Sequence, residues 1–94
     1  MRVCGIDPGL TGGITFIEGE EVSAERTPVT TIAGKKYLDL TKIVNRLVIY
    51  KPRMVYIEKQ QAMPRQGVSS TFKTGFNYGL YLGLFTALGI DYKQ

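Results

Sequence analysis

Two carboxylates have the placement that chemistry needs. Asp7 closes the apolar run Val3-Cys4-Gly5-Ile6, and Glu58 closes a second run, Met54-Val55-Tyr56-Ile57. Both runs read as β-strands, rich in branched and aromatic residues, so each acid sits at the C-terminal end of a strand. If those strands are parallel neighbours, both carboxylates emerge on one edge of the sheet. Two anions that close repel one another unless something positive lies between them. A divalent cation is the simplest solution. The chain has no histidine and one cysteine, Cys4, which excludes His-based triads and a structural zinc site. Oxygen ligands suit a hard cation, Mg²⁺ or Mn²⁺. Two such ions about 3.5–4 Å apart could activate water and stabilise the leaving oxygen in phosphodiester cleavage. The alternative, a pair of ordinary strand-end charges, stays open at this point.

Two neighbouring segments fit an anionic substrate. Asp7 leads into Pro8-Gly9-Leu10-Thr11-Gly12-Gly13, a glycine-rich hairpin that lets a bulky anion approach the backbone. Similar Asp-Gly-Thr hairpins serve ATP phosphates in actin-like and sugar kinases. Glu58 leads into residues 59–71, which hold the cations Lys59 and Arg65, the amides Gln60, Gln61 and Gln66, and the hydroxyls Ser69, Ser70 and Thr71. Cations and hydroxyls bind phosphates, and a helix N-terminus adds free N–H donors. A solvated loop with a helix cap is the plainer reading of the same residues.

The positioning elements follow from local pattern. Residues 2–7 form a first strand, ended by Pro8-Gly9. Residues 14–17 and 21–27 continue it as an antiparallel meander, with Val22 and Ala24 on one side of the third strand. The first strand belongs at the sheet centre, because Val3, Cys4 and Ile6 offer apolar atoms to both faces. Residues 28–37 show little periodicity and read as a loop. Asp39 or Thr41 caps a helix over about residues 40–51, buried through Leu40, Ile43, Val44, Leu47 and Val48, with Lys51 suiting its C-terminus and Pro52 stopping it. Residues 54–58 form a strand, and a strand-helix-strand order implies parallel pairing. Ser69, Ser70 and Thr71 offer N-caps for a second helix over about 72–88, with Gly89 at its C-terminal cap and a further strand beginning at 90–92. Gly75, Gly79 and Gly83 recur every four residues in that helix at a cost of about 1 kcal/mol each, so something must pack close. The chain's own sheet is the expected partner, with a second copy as the alternative. Tyr78, Tyr81 and Phe85 then lie on other faces, where exposed aromatic surface could support a dimer. Cys4 reads as a small buried apolar residue.

Ninety-four residues make one small α/β domain, 1–94, able to bury about 60–65% of its unfolded surface. There is no apolar run long enough to span a membrane and no signal peptide, so the expected location is cytoplasmic. The net charge of +4 is unevenly spread. From residue 35 onward, ten of the twelve Lys and Arg side chains face only Asp39, Glu58 and Asp91, which points to a polyanionic partner.

With these motifs in order, the chain resembles the RuvC-type Holliday junction resolvases, especially the shorter phage-encoded branch. Gly5-Ile6-Asp7-Pro8-Gly9 with Thr11-Gly12-Gly13 resembles the family's first strand and hairpin. Val55-Tyr56-Ile57-Glu58-Lys59 resembles its acid-ending fourth strand. Gln66-Gly67-Val68-Ser69-Ser70 with Phe72, Gly75 and Gly79 resembles its loop and following helix. The resemblance implies an RNase H-like mixed sheet with helices packed on it, Mg²⁺-dependent cutting of four-way DNA junctions to 5′-phosphate and 3′-hydroxyl ends, and a homodimer. Carried over, Asp7 and Glu58 become the catalytic metal ligands. Lys59, Gln60, Arg65, Gln66, Ser69, Ser70 and Lys73 become the DNA-binding set. The family continues through a further strand and a helix that supplies two more carboxylates, and Asp91 lies too early to replace them. The expectation is therefore a C-terminally truncated resolvase with an incomplete metal site and impaired catalysis. The alternative is a non-catalytic DNA-binding or assembly module of the same shape. A fragment of an actin-like ATP-binding domain fits less well, given the length and the lack of a second phosphate hairpin.

Overall fold

The apolar N-terminal run becomes the middle of a sheet. The computed structural model describes residues 1–59 and 67–94. Along the chain the elements are β1 (Arg2–Asp7), β2 (Gly13–Glu18), β3 (Glu21–Arg26), β4 (Val29–Ile32), β5 (Lys35–Leu38), α1 (Leu40–Tyr50), β6 (Met54–Ile57), α2 (Val68–Leu88) and β7 (Tyr92–Lys93). Five of the strands form one mixed sheet of order β3-β2-β1-β6-β7. The meander β1-β2-β3 is antiparallel, whereas β6 joins β1, and β7 joins β6, in parallel. This is the expected RNase H-like arrangement, with β1 at the centre.

Strand alternation decides which face is covered. Cys4 and Ile6 of β1 stand opposite Val55 and Ile57 of β6, and all four are buried. They form the core with Ile14, with Ile43 and Leu47 from α1, and with Tyr81 and Phe85 from α2. Both helices therefore pack on one face. The other face carries Val3, Ile17, Val22, Met54 and Tyr56, of which Val22 is 65% and Tyr56 50% exposed. Helix α1 is capped as expected by Asp39, whose Oδ1 accepts the Lys42 N–H at 3.1 Å. It stops at Lys51, which takes the left-handed conformation (φ 54°) ahead of Pro52. Val48, expected in the buried stripe, is half-exposed.

Three expectations are corrected. Residues 28–37 are not a loop. They contain the β4–β5 hairpin, a separate two-stranded sheet in which Ile32 pairs Lys35 around Ala33-Gly34. Both turn residues have positive φ, 51° and 80°, as a tight primed turn requires. The hairpin is tied down at its base, where Leu38 enters the core and the Asp39 N–H donates to the Pro28 carbonyl at 2.9 Å. Helix α2 starts at Val68, not 72. Gly67 is its N-cap, without a side-chain hydrogen bond, and Ser69, Ser70 and Thr71 lie inside its first turn.

The third correction concerns the faces of α2. Its buried face carries Asn77, Tyr81 and Phe85. Gly75, Gly79 and Gly83 face outward, with no atom within 4 Å of where a Cβ would stand. The reason is apolar area. An aromatic ring can bury roughly 150–250 Å² and a glycine no side chain, so Tyr81 and Phe85 take the inner face. The remaining boundaries differ by one or two residues: β3 ends at Arg26, β6 ends before Glu58, and β7 spans Tyr92–Lys93. Gly89 ends α2 at φ 69°, its N–H reaching the Phe85 and Thr86 carbonyls.

Candidate functional site

The parallel register builds the acid pair. Ile6 stands opposite Ile57, so the next rung brings Asp7 level with Glu58, and the Glu58 N–H donates to the Ile6 carbonyl at 3.0 Å. Both acids are exposed at the C-terminal edge of the sheet. Alternation assigns Asp7 to the face opposite Cys4 and Ile6. The Asp7 carboxylate is oriented from behind by the hairpin, its Oδ1 accepting the Gly9 N–H at 3.2 Å. The hairpin closes through Gly12 N–H to the Gly9 carbonyl at 3.0 Å. Gly12 has no alternative. A Cβ there would collide with the Asp7 carbonyl oxygen and stand 2.8 Å from its Cγ.

Among the described residues, neither carboxylate has an ion pair. The two pairs present, Arg2 Nε to Glu18 Oε2 at 2.9 Å and Arg46 Nε to Glu25 Oε1 at 3.0 Å, lie elsewhere. The uncompensated oxygen donors fit a hard divalent cation, which keeps much of its shell for water and substrate phosphates. Among the described residues, no third acidic, cysteine or histidine side chain joins them.

Behind Asp7 lies a feature that sequence reasoning missed. Tyr81 is fully buried, and the oxygens of Tyr81 and Thr27 lack a hydrogen-bond partner among the described residues. Burial pushes the Tyr81 hydroxyl up to about 12. The negative charge of Asp7 adds to this. No local pattern marks Thr27. Tyr81 could have been found by placing the largest side chains of the second helix on its inner face.

The expected DNA-binding residues divide. Ser69, Ser70 and Lys73 lie on the first turns of α2, beside the hairpin that follows Asp7. Of these, Ser70 and Lys73 line a cleft of about 210 Å³ with Pro8, Gly9, Leu10, Thr11, Thr74 and Asn77, whereas Ser69 lies outside it. Lys59 is exposed directly after Glu58. Gln60, Arg65 and Gln66 lie outside the described residues. The structure also brings in Lys35 and Lys36, which the sequence marks only as part of a basic half. They face Lys73 across a second groove.

No protein-family model matches the chain, and no curated protein sequence matches it. Solved structures do. The chain is 21% identical to Thermus thermophilus RuvC in complex with a Holliday junction substrate, with a TM-score of 0.70 over 98% of this chain and 62% of that one. A second Thermus thermophilus RuvC structure matches at 21% identity and a TM-score of 0.57, over 98% and 61% of the two chains. The chain thus has a RuvC-like fold and spans about 62% of the length of the protein it matches.

Proposed function

We propose that this chain is the nuclease domain of a structure-selective DNA endonuclease that cuts four-way junctions. The observation that carries this reading is the register that brings Asp7 level with Glu58 at the edge of a RuvC-like sheet. The same fold in the matched structure holds a Holliday junction substrate. Asp7 and Glu58 would hold Mg²⁺ or Mn²⁺, which supplies an activated water and charge neutralisation at the scissile phosphate. Asp7 is held at its post by the Gly9 N–H. Lys59, Ser69, Ser70 and Lys73 take phosphates on the flanking strand, joined in this proposal by Gln60, Arg65 and Gln66. Water adds to phosphorus, the bond to the 3′ oxygen breaks, and that oxygen leaves with a proton.

The reading includes a homodimer. Gly75, Gly79 and Gly83 form an open ridge on α2 beside the exposed Phe72 and Phe76, and a second copy is the partner that would give three unsheltered helix glycines a purpose. The test is a labelled four-way junction incubated with purified protein and Mg²⁺ or Mn²⁺. Metal-dependent nicks near the crossover support the proposal, and absence of binding even at low salt overturns it, since phosphate contacts are strongest there. A second reading, a non-catalytic junction-binding module, is favoured by the pairing of only two acids among the described residues. It predicts binding without cutting, unchanged in Asp7→Asn.

A further inference from the structure

The β4–β5 hairpin has no part in the acid site, yet it carries a basic pair, Lys35 and Lys36, to a groove shared with α2. Lys35, Lys36 and Tyr37 from the hairpin, with Ser69, Phe72, Lys73, Phe76 and Asn77 from α2 and Leu10 from the hairpin after Asp7, line a groove of about 240 Å³. Three of its nine lining residues are lysines and none is acidic. Among the described residues none of these lysines has an ion pair. Tyr37, Phe72 and Phe76 are 39%, 69% and 46% exposed, and the two phenylalanine rings stack with centroids 5.9 Å apart. The groove shares Leu10, Lys73 and Asn77 with the cleft lined by Pro8 and Gly9 of the hairpin that follows Asp7, so the two are continuous.

Unpaired lysines interleaved with exposed aromatic rings are what an unpaired nucleic-acid strand requires: cations for the backbone and flat faces for bases. We infer that the β4–β5 hairpin and α2 clamp an unpaired DNA strand leaving the acid site, with Lys35, Lys36 and Lys73 on its phosphates and Tyr37 against a base. The identity of the polyanion as DNA rests on the nuclease reading. The geometry of the clamp does not.

The test is fluorescence anisotropy of a labelled oligothymidylate across a salt series, in EDTA so that cleavage plays no part. Removing two phosphate contacts in Lys35→Ala/Lys36→Ala should flatten the slope of log K against log salt by about 1.4, at roughly 0.7 per single-strand contact. Tyr37→Leu should weaken binding about fivefold or more and leave the slope unchanged. Lys51→Ala/Lys93→Ala removes equal charge outside the groove and sets the baseline. Lys35 and Lys36 are exposed, so their loss should leave the circular dichroism spectrum intact. If the hairpin variants match the control pair while the unmodified chain binds, the clamp is overturned and the nuclease reading survives. If the unmodified chain binds no DNA at low salt, both fall.

Discussion

At residue 7 the chain has little freedom, and that constraint is what makes the acid usable. The Asp7 side chain is oriented by the Gly9 N–H, and the space beside its carbonyl is closed to any side chain at residue 12. Gly12→Ala should therefore destabilise the fold by about 1–3 kcal/mol, the usual range for overpacking. A Cβ at Gly9 meets Asp7 Oδ1 at an ordinary 3.6 Å, so Gly9→Ala should cost much less. Urea denaturation of the pair measures the difference, and equal losses would contradict the geometry. The proposed metal gives a second prediction at this scale. A cation that binds the folded form alone should stabilise it by about 2.7 kcal/mol at a hundredfold excess over its Kd. Mn²⁺ should thus raise the melting temperature of the unmodified chain and leave that of Asp7→Asn/Glu58→Gln unmoved. A rise in both would move the metal elsewhere.

Among the elements, α2 presents the opposite face to the core from the one its glycine spacing suggests. Its glycines are outside, and the rings of Tyr81 and Phe85 are inside. In a monomer, Gly79→Ala meets nothing and should stabilise the helix by about 1 kcal/mol. In the proposed dimer the same methyl group intrudes on the contact. The variant should therefore melt higher at low protein concentration yet self-associate more weakly, a combination that sedimentation equilibrium and thermal unfolding read together. Stronger association would exclude the glycine ridge as the interface. The sequence periodicity located this helix but not its inner face, because four-residue glycine spacing marks a ridge without saying what lies against it. The β4–β5 hairpin was missed for a related reason. Its strands, Val29–Ile32 and Lys35–Leu38, bury only Leu38, so no alternation of apolar and polar residues announces them. The turn carries Ala33 at φ 51° where glycine or asparagine is usual, and Ala33→Gly should stabilise the fold by about 1 kcal/mol in urea denaturation. By contrast β1, β6 and the acids they carry were legible. Branched apolar runs ending in a carboxylate allow few other readings, and one crossover helix then forces the parallel pairing that makes Asp7 and Glu58 neighbours.

For the whole molecule, the same core that sets the strands in register also fixes how the fold responds to alkali. Cys4 and Tyr81 are fully buried, and burial raises both, the Cys4 thiol from 9.0 and the Tyr81 hydroxyl from 10.0, each to about 12. Below pH 9 both groups are protonated in the folded and unfolded chains alike, and neither makes stability depend on pH. Between pH 9 and 12 the unfolded chain releases these protons while the folded chain keeps them. The unfolded state then binds fewer protons, and stability falls as pH rises. The melting temperature should accordingly be level with respect to these two groups up to about pH 9 and decline toward pH 12. Cys4→Ala removes the earlier of the two titrations, so its decline should begin nearer pH 10, from a lower starting stability because a buried sulfur is lost. The same burial makes Cys4 slow to react with a thiol reagent in the folded chain and fully reactive in urea. Rapid modification of the native protein would mean that the sheet opens at β1, and with it the rung on which Asp7 and Glu58 meet.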